Sequence, residues 1–356
     1  VLVTGGAGFL GSHLTEELLR RGYAVHVVDD LSTGALANLA AVAGHARLQI
    51  TVGSIADSRL AQHACATAVA VFHLAGVVGV QRLAADPLAV MQGNLQSTEV
   101  LLRAASAAGC GVLLASSSEV YGEAPVPFRE DEPVRPGSPE GSRGGYACAK
   151  AMGEWLAFGH AGQHGLPVLV ARLFNTVGPR QSADYGMVLP RFVRQAVRGE
   201  PITVYGDGQQ TRCFAHVAEV VRALADLALA PGAVGRIYNV GSQVETTVAA
   251  LAELVRSAAG SRSPIVRQPL AEVFPAGFRD PVRRLPDLAR LRQSIGWVPT
   301  ASIQAIVAEL VALAHRGVAA RVGAADQSEV QSEVQSEVQP EVAPAGAGLA
   351  VRPALA

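Results

Sequence analysis

The chain has 356 residues, 49% of them hydrophobic and only 17% charged, with a formal net charge of −1 and a pI near 6.8. That length suffices for one large or two moderate domains with a substantial core. The near-zero charge excludes a global field for nucleic acid, so the arginines must act locally. Cys65, Cys110, Cys148 and Cys213 show no CxxC or CxxH spacing, which argues against both a zinc site and a disulfide framework.

Much of the apolarity is alanine, which favours helices without demanding a bilayer. The least polar stretch, Ala64 to Val80, contains His73 and ends at Gln81-Arg82. A spanning helix needs roughly 20 apolar residues, so this stretch reads as a buried strand followed by a loop. No basic-then-apolar leader opens at Val1, and the expectation is a cytoplasmic protein with neither membrane nor nucleic-acid partners.

In chain order, Val1 to Val3 reads as a short strand, followed by a glycine-rich turn. Leu10, Leu14 and Leu18 then recur at helical spacing, and Gly22 ends that helix. Tyr23 to Val28 is a second strand, ending in Asp29-Asp30. Leu48 to Val52 alternates like a strand, and Ala68 to Leu74 is a continuous buried one. Glu99 to Ala108 reads as helix, Gly111 to Ala115 as strand, Tyr146 to His164 as helix and Pro167 to Arg172 as strand. Strands alternating with helices imply an α/β fold, a doubly wound parallel sheet covered on both faces. After Phe174 the loops lengthen, and strand-like Ile202 to Tyr205 and Arg236 to Val240 are separated by helical stretches. The expected organisation is a Rossmann domain over residues 1–173, some strands of the 202–240 region returning to it, and a smaller binding lobe over 174–318. Residues 319–356, with three Gln-Ser-Glu-Val repeats from about Asp326, read as a disordered tail.

Thr4-Gly5-Gly6-Ala7-Gly8-Phe9-Leu10-Gly11 places Gly5, Gly8 and Gly11 between a strand and a helix. Glycines there permit a tight turn and close approach of backbone to a pyrophosphate at the helix N-terminus. Asp29, about 20 residues on at the end of the second strand, can accept from both adenosine ribose hydroxyls and would repel a 2′-phosphate, so NAD is expected rather than NADP. Downstream, Tyr146 and Lys150 share a helix face. A tyrosine whose ordinary pKa is about 10 is a poor base at neutral pH, and a lysine ammonium beside it, with the positive nicotinamide, favours its phenolate. Ser117, in Ala115-Ser116-Ser117-Ser118-Glu119-Val120-Tyr121-Gly122, closes a strand and can hydrogen-bond a reacting hydroxyl.

The GxxGxxG spacing, His73-Leu74-Ala75-Gly76 at a strand end and Asn94 at a helix bend resemble the extended short-chain dehydrogenases, the NAD-dependent epimerase/dehydratase family. The resemblance implies that Phe9, Leu10, Leu74, Ala75 and Asn94 line the cofactor. Where that family carries an Asp to meet adenine, this chain has Ser54, with Asp57 close by as the candidate. It also implies oxidation at C4 of a UDP-linked sugar, with Ser117, Tyr146 and Lys150 at the reacting centre. The second step is then epimerisation, dehydration or decarboxylation.

Simple 4-epimerases often carry a small or apolar residue where Glu119 stands, and dTDP-glucose dehydratases carry Asp-Glu. GDP-mannose dehydratases share Ser-Glu but differ in the cofactor loop. Ser117 to Gly122 looks most like the UDP-glucuronate decarboxylases, including the decarboxylase of lipid A modification. That likeness continues through Ala171 to Arg180, Gly199 to Gly206, Gln210 to Phe214, Gly277 to Asp287 and Gly296-Trp297, about residues 1–315 in all. It implies catalytic parts for Glu119 and Arg284, with Arg284 at the sugar or its carboxylate. It further implies Arg212 and Asn175 at the diphosphate, and Leu189, Val204 and Tyr205 flanking the base. Arginine suits carboxylate and phosphate alike, because its planar fork donates two parallel bonds. Gly144-Gly145 depart from the Arg-Trp of the lipid A enzyme. UDP-glucuronate decarboxylation is therefore expected, with a UDP-sugar 4-epimerase as the alternative and a 4,6-dehydratase behind it. A non-catalytic nucleotide-binding regulator is opposed by the intact Ser117, Tyr146 and Lys150. The likeness also implies a homodimer, built on the helices near Glu99 and Tyr146.

Overall fold

The computed structural model describes residues 1–137, 139, 144–274 and 280–317. The Gly277 to Arg279 part of one motif and the Gln-Ser-Glu-Val tail lie outside the described residues. Contacts divide the chain after Leu313, and the sheets and the cavity all belong to the first unit, Val1–Leu313.

Six strands match the expected sequence runs: β1 (Leu2–Thr4), β2 (Val25–Asp29), β3 (Leu48–Val52), β4 (Ala70–His73), β5 (Gly111–Ser117) and β6 (Val168–Leu173). With the strand Arg236–Val240 they form one seven-stranded sheet. Its spatial order from that edge strand is β6, β5, β4, β1, β2, β3, and every pairing is parallel. Alternation divides each strand between two cores. Val3, Val27 and Leu113 join one cluster with Leu14, Leu18, Val220 and Leu224 from the helices Phe9–Arg20 and Val217–Leu229. Leu2, Val28, Val112 and Leu114 join the other, with Cys65, Leu101, Leu102 and Ala157 from the helices Ser58–Ala66, Pro87–Ala108 and Gly144–His164. A strand buried on both faces has no polar side to show, which is why Val71–Phe72, Val112–Ala115 and Val168–Ala171 are apolar throughout.

The chain order reverses between β1 and β4, and ligands of such sheets bind beyond the strand carboxyl ends at that switch. Arg236–Val240 returns to the main sheet beside β6. Ile202–Tyr205 does not; it pairs in parallel with Ile265–Gln268 in a separate two-stranded sheet. Thr211–Cys213 pairs antiparallel with Glu245–Thr247. The helix expected over Glu99 to Ala108 starts earlier, at Pro87, where the Asp86 side chain accepts from Ala89 N–H. Among the described residues no helix is long and apolar enough to cross a membrane, and the four cysteines are free thiols.

Candidate active site

The turn between β1 and the helix Phe9–Arg20 depends on two glycines. Gly5 has φ +70°, and a Cβ there would stand 2.8 Å from Ala75 N. A Cβ at Gly11 would stand 2.0 Å from Gly5 O, so nothing larger fits. Asp29 holds the turn from across β2: Ala7 N–H donates to Oδ2 at 2.9 Å and Leu31 N–H to Oδ1 at 2.8 Å. Each oxygen keeps acceptor capacity for a ribose hydroxyl. Burial raises the Asp29 pKa, opposed by the backbone N–H groups of Leu31 and Ala7. A backbone cradle at a helix N-terminus, with a carboxylate at the next strand end, fits NAD on its own chemistry.

Behind this turn, His73 links three elements. Its Nδ1 lies 2.8 Å from Thr4 Oγ1 and its Nε2 3.2 Å from Thr98 Oγ1. Thr98 already donates to Asn94 O at 2.8 Å, and Thr4 Oγ1 accepts from Ala75 N–H at 3.2 Å. The ring therefore carries its proton on Nε2 and accepts at Nδ1, an assignment made from the network. Burial, then the Lys150 charge, lowers its pKa to about 3, so it is neutral. Asn94 spends both amide hydrogens on Val77 O and Val90 O, at 2.9 and 2.7 Å. Its Oδ1 has no partner among the described residues. A Cβ on Gly76 would come within 2.7 Å of that oxygen and 3.2 Å of Lys150 Nζ, so a glycine leaves both their space.

The candidate reacting residues converge from β5 and the helix Gly144–His164. Ser117, the last residue of β5, caps a short 3₁₀ turn, its Oγ accepting from Glu119 N–H at 3.2 Å, and it also hydrogen-bonds Tyr146. Burial, and next the Glu119 charge, holds the Tyr146 phenol above its ordinary pKa; the Ser117 hydrogen bond and Arg284 oppose this. Lys150 Nζ donates to Ala115 O at 3.2 Å and lies 5.9 Å from the Tyr146 ring centroid. Burial lowers its pKa to about 8, with Glu154 pulling the other way. Opposite stands Arg284, with Nη1 2.6 Å from Glu119 Oε1 and Nη2 unpartnered among the described residues.

These groups line a cavity of about 350 Å³. Of the residues picked from sequence, Phe9, Leu10, Leu74, Ser117, Glu119, Tyr146, Lys150, Asn175, Leu189, Tyr205, Arg212 and Arg284 lie on its wall. Gly5, Gly8, Gly11, Asp29, Ala75 and Asn94 lie outside that wall, in and behind the dinucleotide turn. Asp57 caps the helix Ser58–Ala66, accepting from Arg59 N–H at 2.8 Å and Leu60 N–H at 3.2 Å. Val204 is buried in its strand, while its neighbour Tyr205 reaches the cavity. Arg212 is held by Asp280, Nη2 to Oδ1 2.7 Å, and donates to Pro281 O at 2.9 Å.

Two features escape a reading of the sequence. Glu154 accepts from Arg172 Nε and Nη2, at 2.9 and 2.7 Å, and takes a hydrogen bond of 2.5 Å from Ser116. Arg191 is buried, although its spacing with Arg194 and Arg198 suggests a solvated stripe. For Glu154 the only local signal is its position one turn beyond Lys150 on an otherwise apolar helix face.

The family model for the NAD dependent epimerase/dehydratase family matches residues 1–241. The UDP-N-acetyl-alpha-D-glucosaminuronate decarboxylase of Bacillus cytotoxicus is 37% identical over 302 residues, covering 85% of this chain and 93% of that protein. UDP-glucuronic acid decarboxylase 1 of Danio rerio is 33% identical over 304 residues, covering 85% and 70%. The solved UDP-glucose 4-epimerase of Thermotoga maritima, with UDP-glucose, superposes with a TM-score of 0.80 at 29% identity, covering 89% of this chain and 99% of that one.

Proposed function

This chain belongs to the NAD dependent epimerase/dehydratase family and is an NAD-dependent enzyme, and from that premise we propose that it decarboxylates a UDP-linked hexuronate. The observation that carries the reading is the Arg284–Glu119 pair beside Tyr146, with the second arm of Arg284 unpartnered. A neutral hexose gives that arm no anion, whereas the C6 carboxylate of a uronate does. Relatives named as decarboxylases of UDP-glucuronic acid and of its 2-acetamido counterpart support this.

In this reading Tyr146 takes the proton of the C4 hydroxyl while Ser117 holds the oxygen and Lys150 favours the phenolate. NAD would supply a reversible hydride acceptor for C4; Gly5, Gly8 and Gly11 would hold its pyrophosphate, Asp29 its ribose, and Phe9, Leu10, Leu74 and Lys150 its nicotinamide end. With a ketone at C4, the carboxylate on C5 is β to a carbonyl. The C5–C6 bond then breaks, CO2 leaves, and the electron pair passes into an enolate at O4, held by Ser117 and Tyr146. Arg284 and Glu119 orient the carboxylate and serve the proton that returns to C5. Arg212 and Asn175 meet the diphosphate, and Leu189 and Tyr205 the base. The product is a UDP-pentose or its 4-ketone.

Incubation with NAD and either UDP-glucuronate or UDP-N-acetylglucosaminuronate, followed by NMR with trapping of CO2, is expected to show loss of C6. Retention of C6 in both sinks the decarboxylase reading. Inversion at C4 with C6 retained establishes instead the 4-epimerase that the Thermotoga maritima structure supports. Tyr146→Phe is expected to lower turnover about 10²–10⁴-fold; undiminished turnover removes Tyr146 from the chemistry.

A homodimer within the cytoplasm belongs to the same proposal. Cys148, Met152 and Trp155 recur along one face of the helix Gly144–His164 and are exposed, Trp155 at 69%. A seam on the i, i+4, i+7 positions suits a partner helix, and a monomeric mass in light scattering rejects it.

A further inference from the structure

Four arginines are buried in the described structure: Arg172, Arg191, Arg212 and Arg284. Three of them hold a carboxylate: Arg172 that of Glu154, Arg212 that of Asp280 and Arg284 that of Glu119, at 2.7, 2.7 and 2.6 Å. Arg191 holds none among the described residues. Its guanidinium stacks over the Tyr205 ring at 4.0 Å and donates to Thr203 Oγ1, and its Nε has no partner. Burial lowers its pKa; the Tyr205 phenol, to which it also hydrogen-bonds, opposes this, and Arg194, another cation, adds to it. Burial without a counter-ion leaves a charge to be met by something else.

Arg191 lies on the wall of the same cavity as Tyr146, on the side built by the helix Val188–Arg198 and the strand Ile202–Tyr205. Among the cations of that wall, Arg212 and Arg284 are already offset by acids, and Lys150 belongs to the tyrosine end. Arg191 is the cation left over, at the end where Leu189 and Tyr205 stand. Resting on the nucleotide-sugar reading of this cavity, we propose that Arg191 binds the diphosphate of the substrate alongside Arg212 and so favours a nucleoside diphosphate over the bare nucleoside. Stacking on Tyr205 fixes the plane of the guanidinium, so its free edge meets phosphate oxygens without first ordering a flexible side chain.

The test is competition binding of UDP, UMP and uridine to the full-length NAD-loaded protein, carried to millimolar concentrations, for wild type, Arg191→Gln and Arg191→Lys. The expected result for Arg191→Gln is a loss of at least tenfold in UDP affinity with uridine affinity unchanged within twofold. KM for the sugar nucleotide should rise while kcat stays within about threefold. Arg191→Lys should recover part of the UDP preference, and it carries the test if the glutamine variant does not fold. Equal losses for UDP and uridine, or an unchanged UDP affinity, overturn the proposal. UDP binding does not depend on which reaction follows. A protein that releases no CO2 but shows this pattern therefore loses its decarboxylase reading and keeps Arg191. One that releases CO2 while Arg191→Gln binds UDP normally loses only Arg191.

Discussion

Arg172–Glu154 and Arg284–Glu119 are both arginine–glutamate pairs built on a buried arginine, yet their surroundings give them different work. In the first, Arg172 Nε and Nη2 each hold one carboxylate oxygen, Ser116 adds a third bond, and the side chains are only 3% and 5% exposed. The Arg172 plane lies on the Tyr121 ring, 4.7 Å from its centroid. In the second, Nη1 makes the contact to Glu119, whose side chain is 18% exposed, and both residues line the cavity. An unpartnered nitrogen alone does not mark a ligand site, since Arg172 Nη1 is unpartnered too. Arg284 differs in having a cavity beside it. A closed pair holds β5, β6 and the helix of Lys150 in register, while an open pair leaves a charge for a ligand to complete.

The comparison is most severely tested at Glu154. Glu154→Gln strands the Arg172 charge in the interior, and removal of one partner of a buried pair costs about 3–5 kcal/mol. Denaturant unfolding should show a loss in that range; a change below about 1 kcal/mol would mean the pair is not the closed structural link described. Next in size is Arg284→Gln. Water from the cavity can serve Glu119, so the melting temperature should stay within a few degrees. Meanwhile kcat/KM for the uronate should fall about a hundredfold, near 2.7 kcal/mol in transition-state terms. Equal loss of stability and activity would erase the distinction between the pairs.

The smallest expected change in fold stability, and one of opposite sign to that at Glu154, lies at Lys150, which stands between them, one turn before Glu154 and bonded to the strand that ends in Ser117. Its folded pKa of about 8 is below the ordinary 10.5. Between those values the unfolded chain holds a proton that the folded chain has released, so this group's contribution to stability rises with pH across that window. Well below pH 8 the buried charge is present and unfavourable. Lys150→Met should therefore be inactive but melt a few degrees higher than wild type at about pH 7, with the gap closing toward about pH 10. A lower melting point at neutral pH would show that the ammonium stabilises the fold.

Much of the fold was legible in the chain itself. The six strands through Val168–Leu173 and the helix that carries Tyr146 and Lys150 follow from local apolar runs and spacing, because a doubly wound sheet is assembled from consecutive units. The turn at Gly5 to Gly11 was legible for the same reason: its steric demand falls within a few residues. Asp57 shows the limit, since an acid near a strand end and an acid capping the following helix look alike in sequence.

What the amino-acid sequence determined by itself was the α/β architecture and the glycine turn, and it singled out Asp29, Ser117, Tyr146 and Lys150 as candidates, because each stands in a short local pattern at the end of a strand or the start of a helix. Tertiary structure alone decided which arginine meets which acid. Arg172 with Glu154, Arg212 with Asp280 and Arg284 with Glu119 join residues 18, 68 and 165 positions apart. It alone decided too that Arg191 is buried while Arg194, three residues on, pairs with Asp184 at the surface. Charge–charge attraction acts through space and through the local dielectric, and neither is fixed until the elements have packed.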